Sequence, residues 1–374
     1  MNLNIIKRPA TPIDGKGIIE LHNLIHPKKL RILSRWEWEF LCNPIRELFI
    51  HVAVINDKII SQNAILPLKI NMSGEKILGG HSVDAMTHPN YMKRNIFSSL
   101  ATMNYKYSKE KGVNILFAFS NELAQTKVIN KLGWHNLGTL PSLIKFISRK
   151  SLIQMEMSSI LAIIKTLNPK KIIKNREWIR ILNGILKRFK ILKSKSRNSY
   201  HTYKNVKPIK IYQINNFDKR FDELWERIKI DLPISIWKDA EYLNWRYFSH
   251  PEINYVIFSA EENSELVGYI VIKYQLGQYN IGYIIDLLFL PKKENVGSNL
   301  IEYASYYLKN KGIDMVICHI FEHSPFYQVL GKQGFLKYGK GKYFNVRWNG
   351  FKSPSDIVLD RKKWHLMEGD IDEF

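Results

Sequence analysis

The sequence predicts an α/β protein made of two tandem copies of one mixed α/β domain, each a twisted, mostly antiparallel sheet with flanking helices. Three observations lead there: a length of 374 residues, an internal repeat offset by about 200 positions, and the order of strand and helix signals within each copy. A chain this long exceeds one ordinary core and favours two domains. Its 45% hydrophobic and 12% aromatic content suits globular folding.

The repeat runs through four matched stretches in the same order. WEWEFLCNP, ending at Pro44, pairs with LNWRYFSHP, ending at Pro251, and sets Trp38 against Trp245. GHSVDAMTHP pairs with GYIIDLLFLP and sets Asp84 against Asp286. YSKEKGVNILFAF then matches YLKNKGIDMVICH, and NKLGWHNLG matches GKQGFLKYG.

Each copy reads the same way. A short helix closes at Asn43-Pro44 or His250-Pro251, because proline cannot continue a helix. Strands follow near 50–56 and 59–70, or 255–260 and 265–275, where apolar and β-branched residues cluster. A longer strand runs to Pro89 or Pro291. After it, apolar residues at helical spacing (Ile96, Phe97, Leu100, Met103, Tyr107) predict a helix to about Lys111, matched by one to Lys311. A buried strand (114–119 or 314–320), a helix to Leu132 or Gln333 and a last strand complete the unit. The expected boundaries are 1–148 for the first copy, 149–208 for a basic helical linker, 209–350 for the second copy and 351–374 for an acidic tail.

The net charge of +22 invites a nucleic-acid reading, but its distribution argues against it. Between Arg149 and Lys210 stand 17 Lys and Arg against Glu156 and Glu177, so this one segment holds most of the excess. Its first part sets Ile153, Met157, Ile160, Ile164 and Leu167 on one helical face, and its second is a basic amphipathic helix. Solvated linker charges are one reading. The other is peripheral membrane contact, with Trp178, Ile181, Leu182, Ile185, Leu186 and Phe189 beside Lys187, Arg188 and Lys190. Each basic residue near an anionic surface would add about 1 kcal/mol. The N-terminus shows no apolar signal-peptide core, and no window reaches the roughly eighteen apolar residues of a spanning helix. Cys42 and Cys318 form no CxxC pair and no His cluster accompanies them, so a reducing, cytoplasmic address and no metal site are expected. Walker A, GxSxG and HExxH patterns are absent.

The stretch VDAMTHPNYMKRNIFSSL, from Val83 to Leu100, joins a strand to a helix through a basic turn without glycine. A helix N-terminus offers unpaired N–H groups and a positive dipole end, which suits a diphosphate. With the repeat and the Gly-Trp and Gly-Phe endings, this stretch resembles the GNAT acyltransferase superfamily in a tandem form covering most of the chain. The resemblance implies that the strand before Pro89 splays from its neighbour and that the turn cradles the pyrophosphate of acetyl-CoA. The family writes the turn (Arg/Gln)-x-x-Gly-x-(Gly/Ala), and the matching positions are Met92, Lys93, Arg94, Asn95, Ile96 and Phe97. Asn95 replaces the central glycine, and Asn is the non-glycine residue that best tolerates positive φ. Lys93 and Arg94 supply the charge lost where Arg became Met92. Met86 and Thr87 on the strand, and Asn121 on the later motif, are the other cofactor contacts that the resemblance implies. The second copy has a turn two residues shorter, with Gly297 alone, and no partner for Asn121. Cofactor binding is therefore assigned to the first copy.

Asp84 stands where the superfamily often places the carboxylate that takes the acceptor's proton. Its bland alternative is an ion pair with a basic neighbour, and Asp286 repeats it in the inactive-looking copy. His81 and His88 are alternative bases. The family's tyrosine acid falls at Ile129 and Leu330, leaving only a displaced Tyr327. Glu368, Asp370 and Asp372 form an acidic tail, solvated or folded back onto a cationic acceptor. The resemblance implies acetyl transfer to a small-molecule amine by direct attack, since no activated Cys or Ser arrangement is visible. A nucleotide- or lipid-linked amino sugar of surface polysaccharide synthesis is the expected acceptor, at the inner face of the membrane. Two alternatives stay open: a tRNA-dependent aminoacyl transferase of the peptidoglycan cross-bridge type, and a non-catalytic binding protein.

Overall fold

The structure, a computed structural model, describes residues 4–120, 132–148, 209–277, 280–350 and 356–371. The linker expected at 149–208 and Asn121 lie outside the described residues. Among the described residues no helix is long and apolar enough to cross a membrane.

The first copy supplies β1 (Ile6–Pro9), α1 (Gly15–Ile25), α2 (Leu33–Phe40), β2 (Phe49–Ile55), β3 (Lys58–Met72), β4 (Glu75–Thr87), α3 (Ile96–Glu110), β5 (Ile115–Ser120) and β6 (His135–Phe146). The second supplies β7 (Lys210–Ile214), α4 (Lys219–Ile228), β8 (Ile234–Ile236), α5 (Ala240–Leu243) and β9 (Val256–Glu262). It continues with β10 (Glu265–Gln275), β11 (Ile281–Phe289), α6 (Glu294–Asn310), β12 (Met315–His319), α7 (Tyr327–Lys332) and β13 (Leu336–Trp348). Among the described residues the predicted strands and helices appear in their predicted order, with an added edge strand at the start of each copy; the first copy's predicted helix to Leu132 falls on 121–131, outside the described residues.

The strands form one sheet in the order β1-β2-β3-β4-β5-β13-β6-β12-β11-β10-β9-β7, with β8 paired to β3. The order is a palindrome in terms of the repeat, with one exchange at its centre. β13, the last strand of the second copy, pairs antiparallel with β5 of the first. β6, the last strand of the first copy, pairs antiparallel with β12 of the second. Two self-contained sheets were expected; instead each is completed by the other's strand, and one hydrophobic core runs through both.

The repeat becomes a local two-fold at its tryptophans. Trp38 Nε1 donates to the Trp245 carbonyl at 2.9 Å, and Trp245 Nε1 donates to the Trp38 carbonyl at 2.9 Å. Their rings stack at 4.8 Å. Both indoles are buried, so each N–H needs a partner and finds it in the matching residue of the other copy. Asn43 and His250, also matched, play one role: each side chain accepts two backbone N–H groups just after its helical segment.

The described part of the acidic tail is not solvated; Asp372 lies outside the described residues. Residues 356–371 pack against both copies, with Trp364, Glu368 and Asp370 buried. Arg246 holds the strap by donating to the carbonyls of Gly369 at 2.9 Å and Ile371 at 3.1 Å. Asp370 does not await an outside cation: it lies 3.5 Å from Lys238 Nζ, which also donates to Asp286 at 2.6 Å. Tyr247 and Tyr269 donate to the same Asp286 oxygen at 3.0 and 3.1 Å. Burial pushes the Lys238 ammonium towards neutrality, but the two carboxylates outweigh it and leave its pKa above the ordinary lysine value.

Removing that cation leaves two buried carboxylates facing each other. Lys238→Met is expected to cost about 3–5 kcal/mol in urea unfolding, because a broken buried pair leaves uncompensated charge. A loss under about 1 kcal/mol would show that water already reaches the cluster.

Candidate active site

Strands β4 and β5 run parallel, yet they pair only through Gly79–Ile115, Gly80–Leu116 and His81–Phe117. Beyond His81 they part, and residues 82–87 present an edge that β5 does not cover. A bulge sets this course: Gln62 faces Met86 and Ala64 faces Val83, so Asp84 and Ala85 together oppose Asn63. Asp84 takes a φ of 46°, and Gln62 Nε2 donates to its carbonyl at 3.1 Å. The strand end is pinned from β3, where Ser61 Oγ donates to the Met86 carbonyl at 2.8 Å and meets Thr87 Oγ1 at 2.8 Å. Met86 is buried and Thr87 half-buried.

The turn follows directly. His88 Nδ1 accepts from the Asn90 amide at 3.2 Å, so this histidine caps the turn and is not placed as a base. Lys93 and Asn95 both lie in the left-handed region, at φ 62° and 57°. Asn95 immediately precedes α3, in the conformation a glycine would adopt freely. Met92, Lys93, Arg94 and Asn95 are exposed, whereas Ile96 is buried and Phe97 packs against the core. Two cationic side chains therefore surround the N-terminus of a 15-residue helix, beside the open edge of β4.

Where β4 and β5 part lies a cleft of about 430 Å³, lined by His22, Arg31, His81, Asp84, Phe119 and Glu252 among others. The sequence-predicted Asp84 and His81 thus share one cavity. Asp84 is in direct ion-pair contact with Arg31, the alternative weighed against a catalytic role. Arg31 also approaches Glu39 at 3.8 Å, Glu39 lies 3.8 Å from Arg35, and Arg35 lies 3.6 Å from Glu252 of the second copy. The wall is a chain of alternating charges running from one copy to the other. Burial lowers the His22 pKa below the ordinary value, opposed by its hydrogen bond to Asn23 Oδ1 and by Asp84 and helped by the nearby Arg31 charge. His81 is buried and stacks on Phe117 at 4.5 Å, edge-on to Phe119 at 5.8 Å. Arg31, Glu39 and Glu252 were not anticipated; a glutamate inside the tryptophan-rich WEWEF helix was the available signal.

The second copy keeps the divergence and loses the turn. β11 and β12 pair only from Ile281–Met315 to Ile284–Cys318. Its sole left-handed residue between strand and helix is Lys292, at φ 63°. Gly297 serves packing instead, since a Cβ there would meet the Phe289 ring at 2.4 Å. Asp286, the counterpart of Asp84, is consumed by the Lys238 cluster. Tyr327, the displaced acid candidate, sits at the start of α7. A second cleft of about 620 Å³ lies here, lined by Lys273, Tyr283, Glu252 and Glu368 among others. Burial lowers the Lys273 pKa to about 8, with Glu368 opposing that shift and Arg246, Arg35 and Lys342 adding to it.

The profile described as "Acetyltransferase (GNAT) domain" matches residues 8–136, and that of the "Acetyltransferase (GNAT) family" matches residues 214–334. No curated protein matches the chain in sequence. The fold is similar to a probable N-acyltransferase from Enterococcus faecalis V583, with TM-score 0.60 and 9% identity over 96% of this chain and 74% of that one. It is also similar to a GCN5-related N-acetyltransferase from Anabaena variabilis, with TM-score 0.60 and 10% identity over 92% of this chain and 73% of that one. A third similar structure is the N-myristoyltransferase of Saccharomyces cerevisiae with bound myristoyl-CoA, with TM-score 0.56 and 10% identity over 93% of this chain and 80% of that one.

Lys273 makes stability pH-dependent with a definite sign. Its folded pKa of about 8 lies below the unfolded value near 10.5, so the unfolded chain binds more protons in that window. Its penalty, about 3 kcal/mol below pH 8, is relieved as pH rises towards 10.5. Lys273→Met should therefore gain stability over the parent at pH 7 and lose that advantage by pH 10.5. A difference independent of pH in urea titrations would refute the assignment.

Proposed function

We propose that this chain, which belongs to the GNAT acyltransferase family in a tandem two-copy form, transfers the acetyl group of acetyl-CoA to an amine held in the cleft beside Asp84. One observation carries the reading: the uncovered edge of β4 leads straight to a basic, left-handed turn at the N-terminus of α3. A yeast N-myristoyltransferase of similar fold binds myristoyl-CoA, which supports an acyl-CoA donor here.

In this reading Lys93 and Arg94, with the first amides of α3, hold the diphosphate by charge and by unpaired N–H groups. The open backbone of residues 82–87 receives the pantetheine arm as a strand edge would, and its N–H groups polarise the thioester carbonyl. The acceptor enters through the cleft that holds His81 and Asp84. His81 and Asp84, which stand on β4 itself, are the groups assigned to take its proton, directly or through a water. Arg31 keeps Asp84 oriented through their ion pair, so a cationic amine meets a carboxylate already in place. An amino sugar, with one amine and many hydroxyls, suits a wall on which carboxylate, guanidinium and imidazole alternate. Attack is direct, with no covalent intermediate in the first copy.

Calorimetry with acetyl-CoA tests the proposal. Binding is expected to weaken about ten- to a hundredfold when Lys93 and Arg94 are both changed to Glu, since two charge-assisted contacts become repulsive. Asn95→Gly should bind as well as the parent or better, because glycine adopts the left-handed turn without cost. No binding up to millimolar acetyl-CoA would overturn the acetyl-CoA reading.

A further inference from the structure

The sheet face that carries Lys273 and Tyr283 also carries a group of residues with no part in the first copy's reaction. His319 ends β12 just past Cys318, the last residue of that strand paired to β11. Its cross-strand partner on β6 is Ser142. Cross-strand partners point to the same face, so serine and histidine meet: Ser142 Oγ and His319 Nε2 are 2.7 Å apart. On the other side of the imidazole, Nδ1 is in ion-pair contact with Glu368 Oε2. The contact places the carboxylate beside Nδ1 without the alignment of a directed hydrogen bond. Burial pushes the Glu368 carboxyl up, but His319 together with Lys342 and Lys273 outweighs it and holds it below the usual carboxylate value. Glu368 also lines the cleft of about 620 Å³.

The result is a hydroxyl, an imidazole and a carboxylate in sequence, at the mouth of the second copy's diverging strands. In the first copy the cross-strand pair at the corresponding place is Phe119 and Phe344. The pair is invisible in the sequence, since 177 positions separate Ser142 from His319. Only the exchange of β6 into the second copy's sheet brings them together.

We propose that Ser142 is a nucleophile activated by His319, with Glu368 as the positioning residue, and that the second copy accepts acyl groups from activated esters or thioesters. The Oγ–C bond forms as the C–O or C–S bond of the donor breaks. His319 takes the hydroxyl proton and returns it to the departing alkoxide or thiolate. Water, deprotonated by His319, then attacks the acyl-serine, releasing the carboxylic acid and restoring the hydroxyl. The reaction stands independently of acetyl transfer in the first copy.

The test uses the full chain with p-nitrophenyl acetate and, separately, a fluorophosphonate, reading modified peptides by mass spectrometry. Acetyl and phosphonyl adducts are expected on Ser142, together with steady release of nitrophenol. Ser142→Ala should abolish both, and His319→Gln should slow labelling about a hundredfold or more with the serine still present. Glu368→Gln should shift the pH profile of labelling, and Glu368→Asp should restore it in part, which a merely structural carboxylate would not do. If Ser142→Ala does not fold, Ser142→Cys keeps a His-activated nucleophile and should react rapidly with iodoacetamide, again dependent on His319. Adducts elsewhere, no adduct, or a rate indifferent to His319 would overturn the proposal.

Discussion

Everything in this molecule hangs on the exchange of last strands between the two copies. β5 offers an edge that only β13 fills, and β12 offers one that only β6 fills. Because buried backbone groups must be paired, neither half has a closed sheet without the other. The reciprocal Trp38 and Trp245 hydrogen bonds add the same logic at the level of side chains. They are the intramolecular counterpart of a two-fold dimer contact, in which each residue plays the part its mate plays in return. The large core cluster that spans both copies and the two adjoining clefts that share Glu252 follow from this arrangement.

Within that symmetry the copies have parted company, and the divergence lies in a few residues. Both keep a bulge at the matched aspartates, which bends the central strand away from its neighbour. Asp84 remains at a cleft, bound to an arginine that solvent can still approach. Asp286 is sealed beneath Lys238 and two tyrosines, where it holds the C-terminal strap instead. The turns diverge likewise. One preserves left-handed positions at Lys93 and Asn95, whereas the other packs a helix glycine on Phe289.

Much of this was legible in the sequence, because it depends on local chemistry. The repeat, the strand order and the helix after the basic turn are written in periodicity and in the matched Trp, Asp and Gly positions. The left-handed conformation of Asn95 follows from what asparagine tolerates. What stayed hidden depends on contacts between distant segments. β6 and β13 are alike in pattern, so nothing local says which copy each one completes. Glu368 and Asp370 look like a solvated tail until Lys238 and His319, far away in the chain, appear beside them. The charge chain from Asp84 to Glu252 has the same character: its members come from the loop between α1 and α2, from α2, from β4 and from the second copy.

The exchanged strands also set a clock on the ribosome. When β6 emerges, its partners β12 and β13 are still unmade, and β5 must wait for a strand that begins at Leu336. At the usual pace of synthesis, roughly 200 further residues take about 10–40 s. During that interval the nascent first half exposes two unpaired edges bearing apolar residues, the kind of surface that invites association with other chains. Its safe maturation therefore depends on something holding those edges apart until the second half arrives.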